Sequence, residues 1–102
     1  MKWVVDKLSE SDTVTFRPKG NSMHPLVKNG QEVTLRKFSG NYVPPGSVVL
    51  CKVKGRIYLH KVVGVRSTKN QEDHKVWEYQ IGNNRGRVNG WTRIIYGVME
   101  NV

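Results

Sequence analysis

Alanine is absent from this chain of 102 residues, and cysteine is represented only by Cys51. Without the strongest helix former, and with ten glycines beside repeated Val, Thr, Tyr and Trp, the composition disfavours helices and suits strands joined by tight turns. A lone cysteine excludes an internal disulfide. Within Ser47-Val48-Val49-Leu50-Cys51-Lys52-Val53 it reads as a small apolar residue of a buried strand. Long apolar runs are missing too. None approaches the roughly 18–20 residues of a membrane span, and Met1–Asp6 is too short for a secretory leader. A soluble, cytoplasmic protein is therefore expected, of one domain covering residues 1–102 with a single modest core.

Acidic residues are scarce: eight Asp and Glu against seventeen Lys and Arg, a formal charge of +9. Such a charge attracts nucleic acid or acidic partners non-specifically. The cations are spread from Lys2 to Arg93 with no dense run, which favours a solvated basic surface over a dedicated nucleic-acid site. Trp3, Trp77 and Trp91 are able to stack on bases, but at this spacing they read as core or rim residues. His24, His60, His74 and Cys51 lack metal-ligand spacing, and no glycine-rich phosphate loop precedes a helix. Neither a metal nor a cofactor is expected.

The elements emerge from periodicity. Trp3, Val4 and Leu8 give one apolar face to a short N-terminal helix ending near Glu10. Thr13–Arg17 alternates as a strand, and Asn29-Gly30 is a turn leading into the strand Gln31–Arg36. Pro44-Pro45-Gly46 forces a loop. Ser47–Lys54 and Arg56–Arg66 form two strands about a turn at Lys54-Gly55. In the second of these, Ile57, Leu59, Lys61, Val63 and Val65 share one face and Tyr58, His60, Val62 and Gly64 the other. His60 and Lys61 thus oppose each other unless a bulge intervenes. Ser67–Lys75 reads as a polar loop, Val76–Ile81 as a strand, Gly82–Gly90 as a turn-rich connection and Arg93–Met99 as the last strand. The expected class is mainly β, with coiled antiparallel sheets and one short helix.

Two segments carry chemistry. Gly20-Asn21-Ser22-Met23-His24-Pro25 presents a hydroxyl on a turn that Gly20 lets bend sharply and Pro25 stops from becoming a helix. Tyr58-Leu59-His60-Lys61-Val62-Val63-Gly64 places an imidazole in a strand. A serine needs a base within hydrogen-bond reach, and histidine, with an ordinary pKa near 6.5, is mostly neutral at pH 7. Gly30-x-x-Val33, Gly46-x-Val48-Val49 and Gly82-Asn83-Asn84 complete an ordered set.

In this order and spacing the chain resembles the signal peptidase and SOS-repressor (LexA-like) superfamily of serine proteases, over about residues 14–98. The likeness is nearest to the Ser-His signal peptidases. It implies a LexA/signal-peptidase-like fold, with Ser22 as nucleophile, His60 as general base and Lys61 as the alternative base. His24 falls at a variable, exposed position. Where the family carries Gly-Asp-Asn this chain has Gly82-Asn83-Asn84, so an amide replaces the carboxylate that helps hold the site. Asn83 is able to orient the ring without stabilising an imidazolium as well as aspartate would, and Asp73 or Glu72 are the substitutes the sequence offers. The oxyanion site falls to the backbone N–H of Ser22 beside Gly20.

The family's membrane enzymes carry an anchor that this chain lacks, and no Ala-Gly or Cys-Gly precedes Ser22 for repressor-type self-cleavage. The expectation is a minimal stand-alone endopeptidase, of the sort a phage or mobile element encodes, acting on an extended peptide or protein substrate. The alternative is an inactive member of the same fold serving as a basic nucleic-acid- or protein-binding module.

Overall fold

Val48-Val49-Leu50-Cys51-Lys52-Val53 is apolar at both parities, and the fold buries it on both faces. The computed structural model describes residues 1–40 and 42–100. In it a helix α1 (Lys2–Glu10) is followed by seven strands: β1 (Thr13–Phe16), β2 (Val33–Lys37), β3 (Val48–Val53), β4 (Arg56–Lys69), β5 (Lys75–Gly82), β6 (Val88–Thr92) and β7 (Ile94–Met99). They form one antiparallel sheet in the order β1-β2-β7-β3-β4-β5-β6. The mainly β class and the short helix hold, while a single continuous sheet takes the place of several. No described helix is long and apolar enough to cross a membrane.

Alternation along β3 divides the core in two. Val48 and Leu50 join Val4, Leu8, Val33, Leu35, Leu59, Met23 and Val27 on one face. Val49, Cys51 and Val53 join Val43, Val62, Tyr79, Ile81 and Ile95 on the other. Each fully buried aliphatic side chain here contributes about 1.5–3 kcal/mol relative to exposure. Helix α1 covers the first face through Val4 and Leu8, while Trp3 stays 55% exposed and meets Phe16 edge-on at 5.9 Å. The docking is close: a Cβ on Gly97 would lie 2.9 Å from Leu8 Cδ1.

Two expectations are corrected. Ser67–Lys75 is not a loop: β4 runs on to Lys69, pairs with Lys75, and turns over 70–74, where Asn70 Oδ1 accepts the N–H groups of Glu72 and His74. Backbone pairing needs no apolar side chains, and this hairpin end is largely exposed, so polar composition concealed a strand. Likewise Val88–Thr92, overlapping the region expected to be a connection, is the strand β6, paired with β5. Near the middle of β4 the register skips at Val63, with Val62 opposite Ile81 and Gly64 opposite Gln80. This bulge reverses the parity beyond it. Val65 packs with the second cluster, not beside Ile57 and Leu59 as strict alternation predicts.

Candidate active site

Ser22 sits on a tightly tied loop. Gly20 adopts φ 109°, a backbone conformation natural to glycine, and its N–H donates to Asn29 Oδ1 at 2.9 Å. Met23 and Val27 plunge into the first core cluster, with Val27 N–H bonded to the Met23 carbonyl at 2.9 Å. The His24–Pro25 peptide bond is cis, and His24 is exposed. From across the molecule, the Asn84 N–H donates to the Ser22 carbonyl at 2.9 Å, and Asn84 Nδ2 donates to the Met23 and His24 carbonyls, each at 3.4 Å. Ser22 itself is half-buried. Among the described residues, neither its hydroxyl nor its N–H has a hydrogen-bond partner.

His60 lies on β4, 8% exposed, with its ring stacked on Tyr58 two residues earlier at 5.0 Å. Its Nδ1 is 2.7 Å from Asn89 Oδ1 on β6. An amide oxygen only accepts, so Nδ1 carries the proton and Nε2 keeps a lone pair. Burial holds the His60 pKa below the ordinary 6.5, the Asn89 bond opposes that, and the Arg87 charge adds to the lowering. The ring is thus kept neutral.

Ser22 and His60 line one cleft of about 140 Å³, walled by Gly20, Met23 and Val27 on one side and by Ile57–Leu59 on the other. Four consecutive β4 residues line it because, among the described residues, that stretch is a free edge. Val62 directs its N–H to Ser47 and its carbonyl to Gly46, so even-numbered residues of β4 bond toward β3 and the polar groups of Ile57 and Leu59 point outward. β5 pairs with β4 only from Lys61 onward.

No family model, curated protein or solved structure matches this chain. The site's chemistry rests on its own groups.

Lys61 is turned from His60, as alternation predicts, and the Val63 bulge comes too late to reunite them. Its Nζ donates to Asn84 Oδ1 at 2.6 Å, bracing the residue that grips the Ser22 loop. Asn83 is corrected: its Oδ1 accepts the N–H groups of Arg85 and Arg87 at 2.8 and 3.0 Å, closing the turn between β5 and β6 rather than orienting His60. Gly20, beside the expected oxyanion site, has its own N–H taken by Asn29 Oδ1 and adds no donor there. Asp73 and Glu72 lie in the turn at the far end of the β4–β5 hairpin, roughly 30 Å along the strand from His60. They pair there with Lys69 and His74. The residue missed from sequence is Asn89. A lone asparagine in the run Val88–Thr92 is unfavourable in a strand, and that was the available signal.

A hydroxyl without a competing bond, an imidazole protonated at Nδ1 and, among the described residues, an unpaired strand edge suit attack on an extended peptide.

Proposed function

We propose that the chain is a serine endopeptidase of the signal peptidase-like kind, working through Ser22, His60 and Asn89. The observation that carries this is the shared cleft: Ser22 and His60 line it together, and Asn89 fixes the tautomer that leaves Nε2 free to act as a base. The resemblance of the ordered motifs and the mainly β sheet agree with a LexA/signal-peptidase-like fold.

In this mechanism a substrate strand lies along the free edge of β4, bonded to the outward groups of Ile57 and Leu59, with its scissile carbonyl at Ser22. His60 takes the Ser22 hydroxyl proton as Oγ attacks the carbonyl carbon. The negative oxygen of the tetrahedral intermediate meets the Ser22 N–H. The imidazolium then gives its proton to the leaving amine, and the peptide bond breaks. Water, deprotonated by the same imidazole, then attacks the acyl carbon. The Oγ–acyl bond breaks as the imidazolium returns its proton to Ser22 Oγ, freeing the acid. Asn89 orients the ring throughout but supplies no counter-charge, in keeping with the lowered His60 pKa. The test is cleavage of a peptide library by the wild type beside Ser22→Ala and His60→Ala, read by mass spectrometry. Cleavage surviving both substitutions removes the proposal.

A second reading, a nucleic-acid-binding module, is favoured by one specific feature. Phe38, Trp77 and Tyr79 floor an open groove of about 510 Å³ whose rim carries Lys75 and Arg93, with no acidic residue lining it. Tyr42 meets Trp77 edge-on at 5.0 Å, and Lys75 Nζ lies 4.5 Å from the Trp77 ring centroid. Tyr42 is exposed, Phe38 and Trp77 half-buried and Tyr79 buried, while Arg93 is also paired with Glu78 at 3.1 Å. Tyr42 and Trp77 beside Lys75 are the groups here that suit single-stranded nucleic acid. Titration with an oligonucleotide across salt concentrations tests this: phosphate contacts give a steep log–log slope, and a flat one removes it.

A further inference from the structure

The free edge of β4 separates two hollows of unlike chemistry. On one side lies the Ser22 cleft, whose walls include Met23, Val27, Ile57 and Leu59, with Lys19 the one Lys or Arg side chain among its lining residues. On the other a hollow of about 360 Å³ is lined by Val53, Lys54, Arg56, Tyr58, Arg87, Val88 and Asn89. It holds three cations and no acid. Lys54, Arg56 and Arg87 are all exposed, and none has an ion-pair partner among the described residues. The two hollows share Tyr58, and Asn89 joins the second to His60. They are therefore neighbouring compartments of one edge.

A strand added to that edge sends successive side chains to opposite faces. One set enters the cleft beside Ser22, where Lys19 is the single cation, and the set one residue out of phase passes over the hollow with three. We propose that the preferred substrate is an extended peptide with an acidic side chain one residue out of phase with the small or apolar one seated against Met23 and Val27. Lys54, Arg56 and Arg87 select for it. The inference rests on the protease reading for the site but concerns which peptide the edge holds. Selection works through charge at a partly solvated rim, so it is lost at high salt, where the screening length falls to roughly 3 Å.

The experiment uses matched peptides built on one library sequence, around its cleavage bond where one is mapped, with Glu, Gln or Lys placed at each position in turn. At low salt, Glu should raise kcat/KM about fivefold over Gln at alternate positions only, the worth of one favourable exposed ion pair. The paired substitutions Lys54→Glu and Arg56→Glu, and separately Arg87→Glu, should reverse the preference toward Lys. Equal rates for Glu and Gln at every position, or a preference that survives both sets of charge reversals, overturn the inference while leaving the protease intact. Binding of the same peptides to Ser22→Ala, monitored by fluorescence anisotropy, separates the two ideas. Tighter binding of the alternate-position Glu peptides, with no cleavage by the wild type, supports the acidic-strand site and removes the protease. Indifferent binding to Ser22→Ala overturns the inference whatever the wild type cleaves.

Discussion

His60 Nδ1 lies 2.7 Å from Asn89 Oδ1, so the imidazole on β4 is oriented by an amide on β6, two strands away in the sheet. The bond fixes the ring without supplying a negative charge. Replacing Asn89 by Ala should lower kcat/KM by about 10²-fold, within the range that positioned acid–base catalysis contributes. Asn89→Asp should restore much of the rate. Kinetics on a mapped substrate check this, and an unchanged rate in Asn89→Ala would show that the contact positions nothing.

The same site sets the pH profile. His60 acts as a base only when neutral, and burial, aided by the Arg87 charge against the Asn89 bond, lowers its pKa from 6.5. Activity should rise with pH, with the acid limb of kcat/KM centred below 6.5. A carboxylate at position 89 stabilises the imidazolium, so Asn89→Asp should move that limb upward. A wild-type limb at or above 6.5 contradicts the neutral, desolvated ring.

Ser22 and His60 should each be indispensable, with alanine at either lowering kcat by on the order of 10⁴-fold or more. Lys61 differs. It braces Asn84 at 2.6 Å, and Asn84 holds the Ser22 loop. Lys61→Met should cost less than about 10²-fold through loop misplacement and leave the acid limb where it was. A displaced limb would instead identify the lysine as the base.

Packing yields a stability prediction. A Cβ at position 97 would lie 2.9 Å from Leu8 Cδ1 and 3.1 Å from the Arg36 carbonyl oxygen. Gly97→Ala should destabilise by about 1–3 kcal/mol as α1 is pushed from the sheet. Urea denaturation monitored by tryptophan fluorescence measures this, and unchanged stability would mean that the helix docks loosely.

Cys51 should be inert. It is fully buried in β3, and burial pushes its thiol up to about 12. A thiol reagent at pH 8 should label it only as fast as the protein unfolds, so fast labelling of the native protein would refute this burial.

The features legible in the sequence are those governed by local rules. The missing alanine and the Val-rich alternation specify strands, and Val4 with Leu8 specifies the helix face. Gly20 with Pro25 places Ser22 on a turn, and the period of two sets His60 and Lys61 on opposite faces. Folding settles the remainder, because it depends on contacts between residues far apart along the chain. Asn83 and Asn84 are adjacent, yet one closes its own turn and the other reaches back some sixty residues to clamp the Ser22 loop. Asn89 becomes the ring's partner only when β6 folds near β4. The bulge at Val63 reverses the parity of the residues beyond it through pairing with β5, a choice made by two strands jointly and written in neither alone.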